Sequence, residues 1–467
     1  FACLAPVLAF GQMMGVLTGG AMGLVEVLIS TMVGGGLYAV ICGQPLTMLA
    51  PTGLTLTFMG TLAASCATLG LPFMQTYAWI GVYTSAILCA LSLGNAADLI
   101  RYCTRFTDDV FNGMIVTNFL YEAVRAIGAG FLMASTADKT KPFLAATVAL
   151  ATFGAARVLA GARRSVFATR RVREFLSDFG PTIAIFGVTA VSCLPQLSAL
   201  PIDRITLPAS LELAGGRALL VPMLAAPLTV KLYSIVPAIL LACMFYLDQN
   251  ISTRVVNSRV HRLTKPPAYH QDLLALGIVT FLCSICGLPW LVAATVQSLN
   301  HIRSLTSFRP APASESPTPS EPLPDIPDVV ETRVSNILVN VLIGCSLFLV
   351  PLLNLVPSAL VPGLFLFLGI NMMAGNAFLR RLLTTTRVVD PAALPAGDPV
   401  RLAGLRDAGA FTALQAGCLG VMWAIKMDKR TSLYFPLVIG SLMMVREWVV
   451  PRVVSKKGLE ALDEEVG

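Results

Sequence analysis

Two stretches of this sequence hold residues whose types and spacing could do chemistry. Cys42-Gly43-Gln44-Pro45 opens the first, which runs on through Thr47, Pro51, Thr52 and Gly53. Cys286-Gly287-Leu288-Pro289 opens the second, 244 residues later, and leads to Ala294, Thr295, Val296 and Gln297. Both lie in apolar tracts, where proline removes a backbone donor and glycine costs roughly 1 kcal/mol against alanine in a helix. Within lipid, the freed backbone groups must find protein or a water-filled cavity. Each stretch is therefore either a structural kink or the wall of a binding site. On the second reading, each enters as extended chain and starts a helix near the bilayer midplane. A helix start offers free N–H groups and a partial positive charge. Two such starts facing each other would hold a small anion without a fixed cation. Pro51, Thr52, Gly53, Ala294, Thr295, Val296 and Gln297 are the candidate anion-binding residues.

A third stretch, Phe245-Tyr246-Leu247-Asp248-Gln249-Asn250-Ile251-Ser252, closes another apolar tract. A carboxylate at the centre of a membrane helix costs roughly 2.5–3.5 kcal/mol on insertion scales, so Asp248 needs a reason to be there. The alternative places Asp248 at the cytoplasmic interface, simply solvated, since Arg254 follows six residues on.

The elements that must position these residues follow from composition. The 467 residues are 55% hydrophobic and 13% charged, with mean hydropathy +0.75; soluble domains carry about 25% charged residues. Long unbroken apolar runs exclude a β-barrel, whose strands alternate. The chain reads as an all-α polytopic membrane protein with fourteen apolar tracts. The third (47–63) and tenth (291–306) are short and interrupted by Gly, Pro, Ser or Thr. Each is third in its half, and seven tracts per half puts the halves in opposite orientations. Interrupted segments at matching positions of two halves point to a transporter site.

The net charge of +7 is spread over loops, which fits the positive-inside rule rather than nucleic-acid binding. Arg157, Arg163, Arg164, Arg170, Arg171 and Arg173 place one loop in the cytoplasm; Arg254, Arg259, Arg262 and Lys265 place another. Arg380, Arg381 and Arg387 put a third inside, whereas Lys426-Met427-Asp428-Lys429-Arg430 would be an outward loop, an exception to the rule. Residues 309–330 read as a disordered cytoplasmic linker rich in Pro and Ser. Residues 98–111 read as an amphipathic interfacial helix, and 456–467 as a charged cytoplasmic tail. The first residue is Phe1, already in an apolar run, so the numbering is expected to begin inside a longer chain. Cys283 and Cys286, Glu26, Asn118, Tyr121, Glu122, Trp290 and His301 read chiefly as packing or helix-bonding groups, and His270 as interfacial. No motif of an enzyme is present: no G-x-S-x-G, no P-loop and no His/carboxylate cluster.

In order along the chain stand "EVLIST", "GQPLTMLAPTG", "TRFTDDVF", "FLYEA", "FYLDQNIS", "KPPAYHQDLL", "GLPWLVAATV", "ETRVSN", "VPGLFLFLGI" and "FPLVI". Together they resemble the bicarbonate transporter family: anion exchangers, sodium–bicarbonate cotransporters and borate transporters. The resemblance implies fourteen segments in two inverted seven-segment repeats. It implies a core domain from residues 1–110 and 201–353 and a gate domain from 111–200 and 354–455. It also implies dimerisation through the gate, elevator-type alternating access, a plasma-membrane setting and cytoplasmic termini. The transported species would be bicarbonate or carbonate, without an enzyme's cofactor.

"QPLTMLAPTG" and "LPWLVAATV" look most like the sodium-coupled branch, and Asp248 matches its Asp where exchangers carry Glu. Exchangers place an Arg in the tenth segment; here stands Gln297. A site with Asp248 and no Arg is poor for a lone monovalent anion, and Na⁺ restores the attraction. Asp248, Ser252 and Thr52 supply the hard oxygen ligands sodium prefers, so they are the candidate sodium-binding residues. "KPPAYHQDLL", "ETRVSN", Gln297 and "MMAGNAFLRR" are similar to borate transporters instead.

Overall fold

The structure is a computed structural model that describes residues 3–98, 104–133, 139–198, 200–205, 212–310, 325–349, 352, 354–387, 394, 398–428, 431 and 434–463. Apolar helices dominate it. In chain order they are α1 (Leu4–Leu17), α2 (Leu24–Ile41), α3 (Gly53–Leu69) after the two-residue strand β1 (Leu49–Ala50), and α4 (Phe73–Leu93). Next come α5 (Arg105–Met133), α6 (Thr140–Ala160), α7 (Arg170–Asp178) and α8 (Gly180–Ser192). The second half has α9 (Ile235–Val256), α10 (Tyr269–Ile285), strand β2 (Val292–Ala293) and α11 (Thr295–Ser304). Strands β3 (Thr306–Pro310) and β4 (Asp325–Val329) precede α12 (Val334–Cys345). The chain ends with α13 (Leu360–Gly375), α14 (Ala377–Arg387), α15 (Pro399–Ala403), α16 (Leu405–Met427), α17 (Phe435–Trp448) and α18 (Lys456–Leu462).

Among the described residues, six helices are long and apolar enough to cross a membrane, and up to eight spans arise if the bent pairs α7–α8 and α13–α14 each count as one. Large apolar side chains such as Leu93, Val124, Phe143, Val158 and Phe348 stand exposed on their outer faces. A soluble monomer rarely shows so much contiguous apolar surface.

The helices pack in two sets. α1 to α4 lie against α9 to α12, with α4 packed along α10; α5 lies against α13, α14 and α16, α6 against α13, and α8 on α6. The sets meet where α9 touches α17, α1 touches α13 and α3 touches α5. Between α4 and α10, small residues let the backbones approach. A methyl group on Gly81 would fall on Ser284 Oγ and lie 2.6 Å from Trp290 Nε1, and one on Gly277 would lie 2.7 Å from Cys89 Sγ. Gly81→Ala is expected to cost about 1–3 kcal/mol through overpacking. Gly128→Ala, with nothing within 4 Å of the added methyl, should be neutral or better. Melting temperatures of the two purified variants check the contrast.

The structure corrects several expectations. The all-α reading is amended by two small antiparallel pairings, β1 with β2 and β3 with β4. β3 and β4 are the flanks of the expected linker 309–330, so those flanks are ordered; 311–324 lie outside the described residues. The expected interfacial helix 98–111 is not separate: from Arg105 it is the start of the 29-residue α5, with Phe106, Asp108 and Asp109 buried; 99–103 lie outside the described residues. The tail is not free either. Asp463 accepts from the Phe106 N–H at 2.8 Å and from Arg446 Nε at 2.9 Å, docking α18 on the other helices; residues 464–467 lie outside the described residues. Lys426 is not in an outward loop but in the last turn of α16, buried.

Candidate anion and cation site at two helix starts

Strands β1 and β2 cross antiparallel, with Leu49 opposite Ala293 and Ala50 opposite Val292. The Ala294 N–H donates to the Met48 carbonyl at 2.9 Å, and the Met48 N–H to Ser298 Oγ at 2.9 Å. Beyond the crossing, each chain winds directly into a helix. Thr52 caps α3 with extended backbone (φ −117°, ψ 160°), its oxygen accepting from the Thr55 N–H at 3.4 Å. Ala294 precedes α11 and offers no side-chain cap. Each helix begins within three residues of the crossing, at Gly53 and at Thr295, so both positive ends lie beside it.

Side chains from α10 and α12 and from Arg333 just before α12 fix one extended approach; side chains from α2 and α4 and Arg217 from a connection fix the other. Asp272 Oδ1 accepts from the Gly43 and Gln44 N–H groups at 2.7 and 3.0 Å. Asn336 donates to the Pro45 and Thr47 carbonyls at 3.1 and 2.8 Å, and Arg333 to the Cys42 carbonyl at 2.6 Å. On the other approach, Tyr77 donates to the Leu288 carbonyl and Ser30 to the Pro289 carbonyl, both at 2.5 Å. Arg217 donates to the Gly287 carbonyl at 2.6 Å. The backbone groups freed by Gly and Pro are thus satisfied by protein. Gly287 has φ +60°, a conformation that favours glycine.

α9 runs past the crossing and presents one face to both starts. Asp248 is 2% exposed, which decides between the two sequence-level placements: it is buried. Its carboxylate lies beside the Thr52 hydroxyl, and Oδ2 has no hydrogen-bond partner among the described residues. Arg254 does not neutralise it, because its guanidinium pairs with Asp108 on α5. One turn on, Ser252 lies 2.6 Å from Thr295 Oγ1 and 3.2 Å from the Ala293 carbonyl. So Asp248 touches the α3 start, and Ser252 touches the α11 start. Pro51 and Gly53 are buried beside Thr52, and Gln297 is buried at the third position of α11.

One neighbour was not legible from sequence. A methyl on Gly53 would lie 2.8 Å from Asn118 Nδ2, and Asn118 Oδ1 accepts from Lys426. The Lys426 ammonium lies 4.7 Å from the Trp423 ring centroid and 5.7 Å from that of Tyr121. A buried cation therefore stands one residue removed from the α3 start. The spacing Trp423-x-x-Lys426 at the end of an apolar tract was the available signal. Other candidates fall elsewhere. His301 bridges the Leu46 carbonyl (3.2 Å) and Ser335 Oγ (2.7 Å). Trp290 stacks on Tyr77 with ring centroids 3.9 Å apart. Glu26 accepts from the Gly23 and Ala214 N–H groups, and His270 lies 3.2 Å from Asp98.

The sequence profile of the HCO3⁻ transporter integral membrane domain matches residues 1–140 and 132–467. The chain belongs to the HCO3⁻ transporter family. Among curated relatives, anion exchange protein 3 of Mus musculus is 29% identical over all of this chain and 40% of its own length, and that of Homo sapiens 28% with the same coverage. Electroneutral sodium bicarbonate exchanger 1 of Mus musculus is 28% identical over 99% of this chain and 48% of its own length. The chain thus spans less than half of these curated relatives, and the near-equal identities do not separate the exchanger branch from the sodium-coupled one. Among solved structures, the transmembrane domain of the cyanobacterial bicarbonate transporter BicA superposes with TM-score 0.56 at 15% identity, covering 95% of this chain and 93% of that one. SLC26A9 superposes with TM-score 0.60 at 10% identity, covering 96% and 64%. At such identities the likeness is one of fold.

Proposed function

We propose that this HCO3⁻ transporter family chain is the membrane domain of a secondary active transporter that moves bicarbonate or carbonate together with Na⁺. The observation that carries the proposal is the crossing that brings two helix starts against one face of α9, where Ser252 meets one start and Asp248, a buried carboxylate whose Oδ2 has no partner among the described residues, meets the other. The helix starts supply positive potential for an oxyanion. Asp248, with the Thr52 and Ser252 hydroxyls, supplies hard oxygens for a monovalent cation. The membrane-domain relatives named above include an anion exchanger and a sodium bicarbonate exchanger, which supports the substrate class.

The wider architecture is part of the same proposal. Helix occurs in each of the fourteen apolar tracts, and the antiparallel crossing of β1 and β2 after two C-G-x-P motifs supports inverted repeats of seven segments. The two packed sets of helices support a core domain (1–110 and 201–353) that shifts against a gate domain (111–200 and 354–455), carrying the site across the bilayer. On this reading, the gate also makes the homodimer contact, both termini are cytoplasmic and the host is the plasma membrane.

A second reading, sodium-independent chloride–bicarbonate exchange, is favoured by Lys426, which supplies a fixed positive charge near the α3 start. Flux into proteoliposomes separates the two. The sodium-coupled reading expects bicarbonate-driven internal alkalinisation to require external Na⁺. Equal flux without Na⁺ that depends on counter-chloride would replace it. Borate uptake with no bicarbonate response would replace both.

Lys426→Met is expected to cut flux by roughly tenfold to a hundredfold, the equivalent of a lost charged hydrogen bond of about 1.5–3 kcal/mol. Lys426→Arg should retain most of it. Initial rates at matched protein incorporation are the measurement; Met and Arg variants of equal activity would remove Lys426 from the site. Ser252→Ala should raise the half-saturating Na⁺ concentration several-fold with little change at saturation, since one neutral hydroxyl ligand is lost. Sodium titration of the same flux checks it.

A further inference from the structure

The basic connection between α6 and α8 does not take part in the site, yet it is built with a distinct chemistry. α7 spans nine residues, none of them buried, and turns 73° from α8. Polar contacts tie it to the end of α6: Ser177 Oγ donates to the Ala160 carbonyl at 3.0 Å, and Arg163 pairs with Asp178 at 2.8 Å. Val172 and Phe175 in α7 and Phe179 at its C-cap recur at i, i+3 and i+7, one helical face, while Leu176 is half-buried. That face is turned outward: these three side chains are exposed, as are Val166 and Phe167 just before the helix. Residues 157–179 carry six arginines against Glu174 and Asp178.

A short helix with an outward apolar stripe and flanking arginines, at the end of two apolar helices, has the make-up of a segment lying in a bilayer interface. Charge chooses the lipid. Two copies of this segment would repel each other, whereas an anionic headgroup layer complements the arginines. We propose that α7 and the loop before it form a docking surface for anionic phospholipids, the arginines on their headgroups and the aromatic stripe among their acyl chains. The inference is independent of the transported ion.

The test uses the full chain purified in detergent and given equimolar phosphatidylserine and phosphatidylcholine, with retained lipid counted by native mass spectrometry. The wild type should retain phosphatidylserine in about fivefold or greater excess. R170Q/R171Q should bring the ratio close to one, while R170K/R171K, which keeps the charge, should preserve it. F175S/F179S should lower retention of both lipids, an independent check should the glutamine variant fold poorly. An unchanged preference in R170Q/R171Q overturns the proposal. So does loss of the lipid to an equal concentration of inorganic phosphate, which would mark a free-anion site. A shift in oligomeric mass with lipid retention untouched overturns it in favour of a contact between copies.

Discussion

Asp248→Asn is expected to abolish sodium-stimulated bicarbonate flux, by a hundredfold or more, while making the folded protein more stable. The two effects have one cause. Asp248 is a carboxylate 2% exposed, with one oxygen lacking a hydrogen-bond partner among the described residues and the nearest arginine on its own helix paired with Asp108. Taking a charge out of water costs several kcal/mol even after relaxation, and nothing among the described residues offsets it with a guanidinium or ammonium contact. Such a group is retained at the expense of stability, which is the pattern of a functional site rather than of a core. Asparagine keeps the shape and a side-chain oxygen beside the Thr52 hydroxyl but removes the negative charge that attracts Na⁺. Melting temperature in detergent should rise, and flux should fall. If the variant keeps the wild-type sodium response, Asp248 is no cation ligand and the coupling goes with it.

The second large effect concerns the pair Asp108–Arg254, whose side chains are only 11% and 14% exposed. Arg254→Met leaves Asp108 buried without its cation and is expected to destabilise by about 3–5 kcal/mol. Asp108→Asn should act in the same direction. The double variant should recover most of the loss, because it removes both charges together. A double-mutant cycle on denaturation midpoints measures this; strictly additive losses would deny the coupling. The pair also joins α5 to α9, the helix that carries Asp248. If the two helix sets slide past each other, it is a contact specific to one state, and the double variant should change the flux rate even where it restores stability.

The helical class and the two helix starts were legible because glycine and proline act locally: a C-G-x-P in an apolar tract forces a break wherever it stands. Asp248 was legible as costly, but its depth was not. It lies beside Thr52, nearly two hundred positions away, and such tertiary packing is not written in the local sequence, so sequence alone left solvation open. Lys426 was misplaced for a related reason. A lysine at the end of an apolar tract reads as loop, and only Asn118 and Tyr121 on α5 make it an interior residue. The β1–β2 crossing was invisible as pairing, since two-residue strands carry no alternation to detect. The ordered tail and the single long α5 share that limit: Asp463 and Phe106 are made partners by tertiary structure, against a local pattern of charge.

The crossing has a consequence for how the molecule is made. Leu49 and Ala293 are 244 positions apart, so at roughly 5–20 residues per second the ribosome needs about 12–50 s to supply the second after the first. Through that interval the unwound approach to α3 is already synthesised, while the ladder partners at Val292 and Ala293, and the Asn336 amide that binds two of its carbonyls, do not yet exist. The nascent first half must therefore wait at the insertion machinery with bare peptide groups, and premature release into lipid would be the step at which biogenesis fails.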